Sequence, residues 1–322
     1  MNTMATKYTN TGNKDTRSGF GAGLLEAGKK NPDIVALTAD LAGSVKMDAF
    51  AKAFPERFIQ CGIAEANMIG TAAGLAITGK IAFAGSFAEF VTGRVYDQIR
   101  QEVAYGKTNV KIASSHAGIT LGEDGATHQT MEDIALMRAL PNMVVINPCD
   151  YNQCKAATLA IAEYEGPVYL RYGRPSMPNF TPEDQVFEIG KAICMNEGKD
   201  VTIFATGHLV WEAIGAAEIL EAEGISAEVI DIATIKPLDE EAVIASARKT
   251  GTVVCAEEHN MCGGLGELIS GVLAANEPTP VEFINGGDKF GQTGTPAQLL
   301  KAYGMDAENI AAAARKAISR KK

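Results

Sequence analysis

Apolar residues in this chain come mostly in short unbroken runs. DIVALTAD (33–40), RFIQCG (57–62), KIAFAGSF (80–87), VKIASSH (110–116), NMVVINP (142–148) and PVYLRYG (167–173) are apolar on both faces, and most are followed by a stretch with helical spacing. A strand that is apolar on both faces must be covered on both, which is what a parallel sheet wrapped by helices provides. Six such strands within about 170 residues predict a doubly wound α/β domain. Residues 175–190 are rich in Pro, acids and polar groups and read as a linker. Beyond them DVTIFATG, AEVIDIATIKP, GTVVCAEEH and PVEFING alternate with helical stretches at 208–223, 239–248 and 263–276, predicting a second, smaller α/β domain. The expected organisation is a polar arm (1–16), a first domain (17–174), the linker (175–190) and a second domain (191–322).

Three helix starts carry polar signals. One helix is expected from Arg17 or Ser18 through GFGAGLLEAGKK, and another begins near Thr130 with Asp133 in its first turns. Ser44, in the turn after DIVALTAD, stands where it could cap VKMDAFAKAF, and where a parallel sheet would place it at the ligand-facing edge with Asp40 and Leu41. Glu65 opens an unusually apolar, small-residue helix, a position that the helix dipole alone explains for an acid.

With 322 residues, 46% of them hydrophobic, the chain can bury two cores. Its longest apolar runs, such as MIGTAAGLAI, are broken by Gly and Thr, and the amino terminus lacks an apolar signal core, so a cytoplasmic protein without membrane contact is expected. Six cysteines without a Cys-x-x-Cys pair suggest neither zinc nor disulfides. A net charge of −10 argues against nucleic-acid binding and requires that any anionic substrate be held by local cations.

The chemistry concentrates in SSHAGITLGEDGATHQTMEDIALMRALP (114–141). His116 ends an apolar strand, two carboxylates sit between Gly122 and Gly125, and His128 follows. A long polar loop with two imidazoles and an acidic turn behind a buried strand is better explained as a site than as a connection.

This loop, with its Gly-Glu-Asp-Gly-x-Thr-His-Gln, resembles the signature of transketolases, and the likeness covers nearly the whole chain as the carboxyl-terminal portion of such an enzyme. The resemblance implies a thiamine diphosphate pyrimidine-binding domain followed by the family's final domain. Glu65, in Gly-Ile-Ala-Glu, would touch the aminopyrimidine ring. An apolar pocket would help its carboxyl share a proton with a ring nitrogen. Phe87 and Phe90 would form the aromatic wall against that ring, a third aromatic of the family pattern falling on Gly93. Asp40, Leu41 and His128 are implied cofactor contacts. Arg17, Ser44, His116 and Arg174 would hold a sugar phosphate, and His116, Asp124 and His128 would act near the reacting carbon.

The Gly-Asp-Gly with downstream Asn that holds the cofactor's diphosphate and its Mg2+ or Ca2+ in this superfamily is not found here. Gly286-Gly287-Asp288 lies in the wrong domain and lacks the Asn. The resemblance therefore implies one half of a split transketolase, partnered by an amino-terminal subunit, as an α2β2 heterotetramer, and moving two-carbon ketol units between phosphorylated sugars. Ala64 and Ala66 replace the commoner Arg and His and resemble deoxyxylulose-phosphate synthases and 2-oxoacid dehydrogenase β subunits. Those enzymes remain the alternative, as does a non-catalytic regulatory homologue.

Overall fold

A computed structural model describes residues 8–321, so part of the polar arm expected over 1–16 lies outside the described residues. The arm's end, β1 (Asn13–Asp15), is tied down by antiparallel pairing with β8 (Ser176–Pro178) from the linker.

The six apolar runs form the first sheet as parallel strands: β2 (Ile34–Thr38), β3 (Phe58–Gln60), β4 (Ile81–Phe87), β5 (Val110–Ser115), β6 (Val144–Ile146) and β7 (Val168–Arg171). Helices α1 (Thr16–Lys30), α2 (Asp48–Ala53) and α7 (Tyr151–Glu163) cover one face through Phe20, Leu24, Phe50, Ala157 and Ile161. On the other face lie α3 (Glu65–Ile77) and α6 (Asp133–Arg138), with α4 (Ala88–Val91) and α5 (Tyr96–Gln98) preceding a π-helical stretch, Ile99–Tyr105. There Met68, Ile69, Val91, Ile99 and Met137 close a second core. Small residues let α1 approach α7 closely: a Cβ on Gly23 would lie 2.7 Å from that of Thr158. This arrangement is the doubly wound sheet that the runs require.

The second sheet, in the order β14-β13-β10-β11-β9, comprises β9 (Ile193–Asn196), β10 (Val201–Ala205), β11 (Ala227–Asp231), β13 (Val253–Ala256) and β14 (Val281–Ile284), with only the edge strand β9 antiparallel. The expected helices appear as α8 (Leu209–Ala222), α9 (Glu240–Thr250) and α10 (Leu265–Asn276), joined by α11 (Pro296–Ala302) and α12 (Ala307–Ser319).

Three local expectations change. AEVIDIATIKP is two strands: β11 ends at Asp231, and β12 (Thr234–Lys236) crosses to the first sheet, where it pairs antiparallel with β6. Apolar periodicity identifies a buried strand but not the sheet it joins, so one run can serve two domains. Ser44 does not cap a helix. It lies in a turn in which Lys46 is left-handed (φ 63°), and α2 starts later, at Asp48, with no side-chain cap from Met47. The helix expected near Thr130 begins at Asp133, because the loop before it is held by its own hydrogen bonds, including Gly118 N–H to the Thr130 carbonyl at 2.9 Å.

Candidate functional site

The site candidates sit where β2, β4, β5 and β7 end, the edge at which parallel sheets present loops to ligands. His116 follows β5 in a left-handed conformation (φ 62°), which turns its ring away from the strand direction. The ring is buried and stacks on Phe87, at the end of β4, with centroids 3.8 Å apart and planes at 27°. Its Nδ1 lies 2.7 Å from Ser115 Oγ, and its Nε2 faces Arg17 Nη1 at 3.5 Å. A guanidinium only donates, so this contact turns the Nε2 lone pair toward Arg17 and places the ring proton on the Ser115 side. Burial first, and then the charges of Arg17, Arg174 and His128, push the His116 pKa down to about 3. The imidazole is therefore neutral at physiological pH.

Arg17 is aimed from the first turn of α1, where Asp15 caps the helix and sits 3.3 Å from the Arg17 Nε. Arg17 Nη1 donates to the Ser44 carbonyl at 3.1 Å, so Ser44 joins the cluster through its backbone. Arg174, three residues past β7, donates through Nη1 to the Leu121 carbonyl (2.8 Å) and pairs with Glu123 Oε2 (2.9 Å). Glu123's own backbone N–H, and then Arg174, hold that carboxyl below the usual carboxylate range.

The second half of the site is aromatic. Phe87 and Phe90 stack with centroids 5.7 Å apart and planes at 22°, and the His128 ring meets Phe90 edge-on at 5.5 Å. Glu65, the first residue of α3, is 4% exposed beside this wall. Its surroundings depart from the apolar pocket expected for it. Arg94 Nη1 lies 3.4 Å from Glu65 Oε2, and the same guanidinium rests 4.5 Å from the Phe90 ring centroid. Two expected members stand apart from the clusters. Asp40 is left-handed (φ 61°) with an exposed side chain, and its backbone N–H donates to Gln60 Oε1 at 2.7 Å. Asp124 is exposed and makes no hydrogen bond or ion pair among the described residues. Leu41 is half-buried against the α1-side core.

Three participants escaped sequence reasoning, Ser115, Arg94 and Glu89, and Glu123 was read in the acidic turn without its pairing to Arg174. Glu89 is half-buried, and its carboxyl is pushed up by burial and by Glu132. Ser115 adjoins a chosen residue and could have been found by asking what orients it. Arg94 lies 29 positions from its partner, and nothing in local spacing signals the pair.

The aromatic wall and the buried carboxyl suit the pyrimidine half of thiamine diphosphate: a flat apolar surface for the ring and an acid for a ring nitrogen. Among the described residues the one group of close metal-type donors is Cys194, Glu197 and Glu228 in the second sheet, and Lys249 Nζ already pairs with both carboxylates, at 2.6 and 2.8 Å.

Comparison with known proteins follows the same division. Residues 13–179 match the transketolase pyrimidine binding domain and residues 190–310 the transketolase C-terminal domain. The chain is 51% identical over 301 residues to a Methanocaldococcus jannaschii protein named for the C-terminal section of a transketolase, covering 92% of this chain and 94% of that one. It is 45% identical over 298 residues to a 6-deoxy-6-sulfo-D-fructose transketolase subunit of a Clostridium species, covering 92% of each. Among solved structures, a split-gene transketolase described as an inactive β4 tetramer superposes with a TM-score of 0.89 and 48% identity, over 97% of this chain and all of that one.

Proposed function

The chain belongs to the transketolase family, spanning its pyrimidine-binding and C-terminal domains, and from that premise we propose that it is one subunit of a split transketolase. Its partner would be an amino-terminal subunit carrying the ligands for the diphosphate and its Mg2+ or Ca2+, in an α2β2 assembly. The reaction would be transfer of a two-carbon ketol unit from a ketose to an aldose, each with an anionic end. When bound, thiamine diphosphate supplies the electron sink for breaking the carbon–carbon bond beside the ketose carbonyl.

The remaining roles fall to this chain's own residues. Phe87 and Phe90 would pack on the aminopyrimidine, and Glu65 would hold a proton against its ring nitrogen. His128, edge-on to Phe90, would orient the substrate's reacting end, and Asp124 would bond a hydroxyl once sugar fills the loop. Arg17 and Arg174 would grip the anionic end, and the neutral His116, its Nε2 accepting from Arg17, would hold that guanidinium in place without adding charge. The Clostridium relative, named for a sulfonated sugar, supports an anion-tailed substrate.

The observation that carries this reading is the Phe87–His116 stack, in which one ring touches both the Phe90 ring and the imidazole that faces Arg17. Calorimetric titration of the lone chain with thiamine diphosphate and magnesium tests it. The chain should bind weakly, since the metal side is elsewhere, and micromolar or tighter binding would rule out the split-site reading.

A further inference from the structure

Behind the loop that carries His116 lies a buried polar chain linking the two domains. Glu258, just past β13, is 2% exposed, and its Oε1 accepts the Thr120 backbone N–H at 2.5 Å. Its backbone carbonyl accepts from Arg171 Nη2 at 2.9 Å. Arg171 grips both oxygens of Asp133, at 2.7 and 3.3 Å. Asp133 in turn accepts the Tyr169 hydroxyl at 2.7 Å, and that hydroxyl meets Ser114 Oγ at 2.7 Å. Glu258 Oε2 stands 3.8 Å from Nδ1 of the buried His208, which opens α8 and packs over Gly173. The carboxyl also fills the space beside Gly118 (φ 81°), where a Cβ would overlap it.

Burying a carboxylate is costly, and an apolar residue of similar volume would close the domain interface at least as well. What the carboxylate adds is an acceptor for the Thr120 N–H, a donor in the first turn of the short helical segment Ile119–Leu121. We propose that Glu258 is a positioning residue: from the second domain it fixes the backbone at 118–120, and so aims the His116 ring at Arg17 and the anion pocket. This inference rests on the proposed ketol transfer only for its kinetic consequence. The geometric consequence, the seating of His116 on Phe87, is independent of it.

The test compares Glu258→Gln, Glu258→Asp and Glu258→Ala, each in the full chain reconstituted with its amino-terminal partner. Gln keeps an acceptor oxygen at the same reach, whereas Asp keeps the charge but falls a carbon short. Asp and Ala should raise the KM for ribose 5-phosphate about tenfold, leave that for glycolaldehyde within about threefold, and be matched by near-normal behaviour of Gln. In the full chain labelled at histidine Cε1, the His116 signal should leave its ring-current position over Phe87 in Asp and Ala and keep it in Gln. Rescue by Asp but not Gln would overturn the proposal in favour of simple charge balance for Arg171, and unchanged KM and His116 signal in Ala would overturn it outright. If Ala fails to fold, Gln against Asp decides. If the wild-type complex transfers no ketol unit, the functional reading fails while the His116 signal still decides the role of Glu258.

Discussion

Phe87 touches both halves of the site: one neighbour is the His116 ring at 3.8 Å and another is the Phe90 ring at 5.7 Å. Phe90 instead faces His128 and Arg94. The two aromatics should therefore fail differently. Phe87→Ala in the reconstituted complex should weaken cofactor binding and also raise the KM for a phosphorylated acceptor, each by about tenfold, since an aromatic pair is worth about 0.5–1.5 kcal/mol beyond its area burial. Phe90→Ala should weaken cofactor binding alone. Equal effects of the two substitutions on acceptor KM would show that Phe87 does not support His116.

Arg174 is held by Glu123 in this structure, so a substrate anion must displace a carboxylate to reach it. Arg174→Ala should raise the KM for ribose 5-phosphate about tenfold or more while barely affecting glycolaldehyde, because bonds to a charged group are worth about 1.5–3 kcal/mol each. Glu123→Gln should act in the opposite direction and lower that KM by about twofold to fivefold, the modest scale of an exposed pair. Steady-state kinetics on the two acceptors read both effects, and equal losses on the two acceptors in Arg174→Ala would remove Arg174 from the anion pocket.

Burial and three neighbouring positive or titratable groups keep His116 neutral, with its pKa near 3 against about 6.5 unfolded. Between those values the unfolded ring binds a proton that the folded ring refuses, so stability from this residue is lost as pH falls from about 6.5 toward 3, at about 1.4 kcal/mol per pH unit. In a histidine-labelled chain, the His116 Cε1 signal should stay constant from pH 8 to pH 5. A His116 midpoint near pH 6 would show an open, solvated ring.

The six parallel strands were legible because apolar runs of this length must be buried on both faces, and the loop at 114–141 was legible because chemistry-bearing residues crowd there. What escaped was long-range. Apolar character marked 234–236 as strand without showing that β12 would leave its own domain for the edge of β6. Helix signals around Ser44 were real, but a left-handed Lys46 delays α2 and leaves Ser44 to bind Arg17 through its carbonyl. Gly-Ile-Ala-Glu pointed to Glu65, yet the Arg94 beside it depends on where α3 meets the segment after β4, which no spacing rule records. Glu258 carries no local signal in GTVVCAEEH. Its partner Thr120 lies 138 positions away, so only the packing of the two domains shows it.

Glu65 separates a catalytic acid from a helix-start acid. Its one side-chain partner among the described residues is Arg94 at 3.4 Å, which is half exposed and stacks on Phe90. Glu65→Gln should therefore preserve the fold, read by near-ultraviolet circular dichroism, while turnover of the reconstituted complex at saturating cofactor falls at least about a hundredfold, the scale of a lost proton-transfer group. Turnover close to wild type would leave Glu65 as a helix-start residue only.

The most direct measurement takes ketose phosphate labelled with 13C at the two transferable carbons, together with ribose 5-phosphate, thiamine diphosphate and magnesium. It follows the label by NMR with the chain alone, with an amino-terminal subunit carrying Gly-Asp-Gly and a downstream Asn alone, and with both. The account predicts labelled heptulose phosphate only when both chains are present, and its loss in the complex bearing Glu65→Gln. Label transfer by the lone chain, or none with both subunits present and assembled, would contradict it.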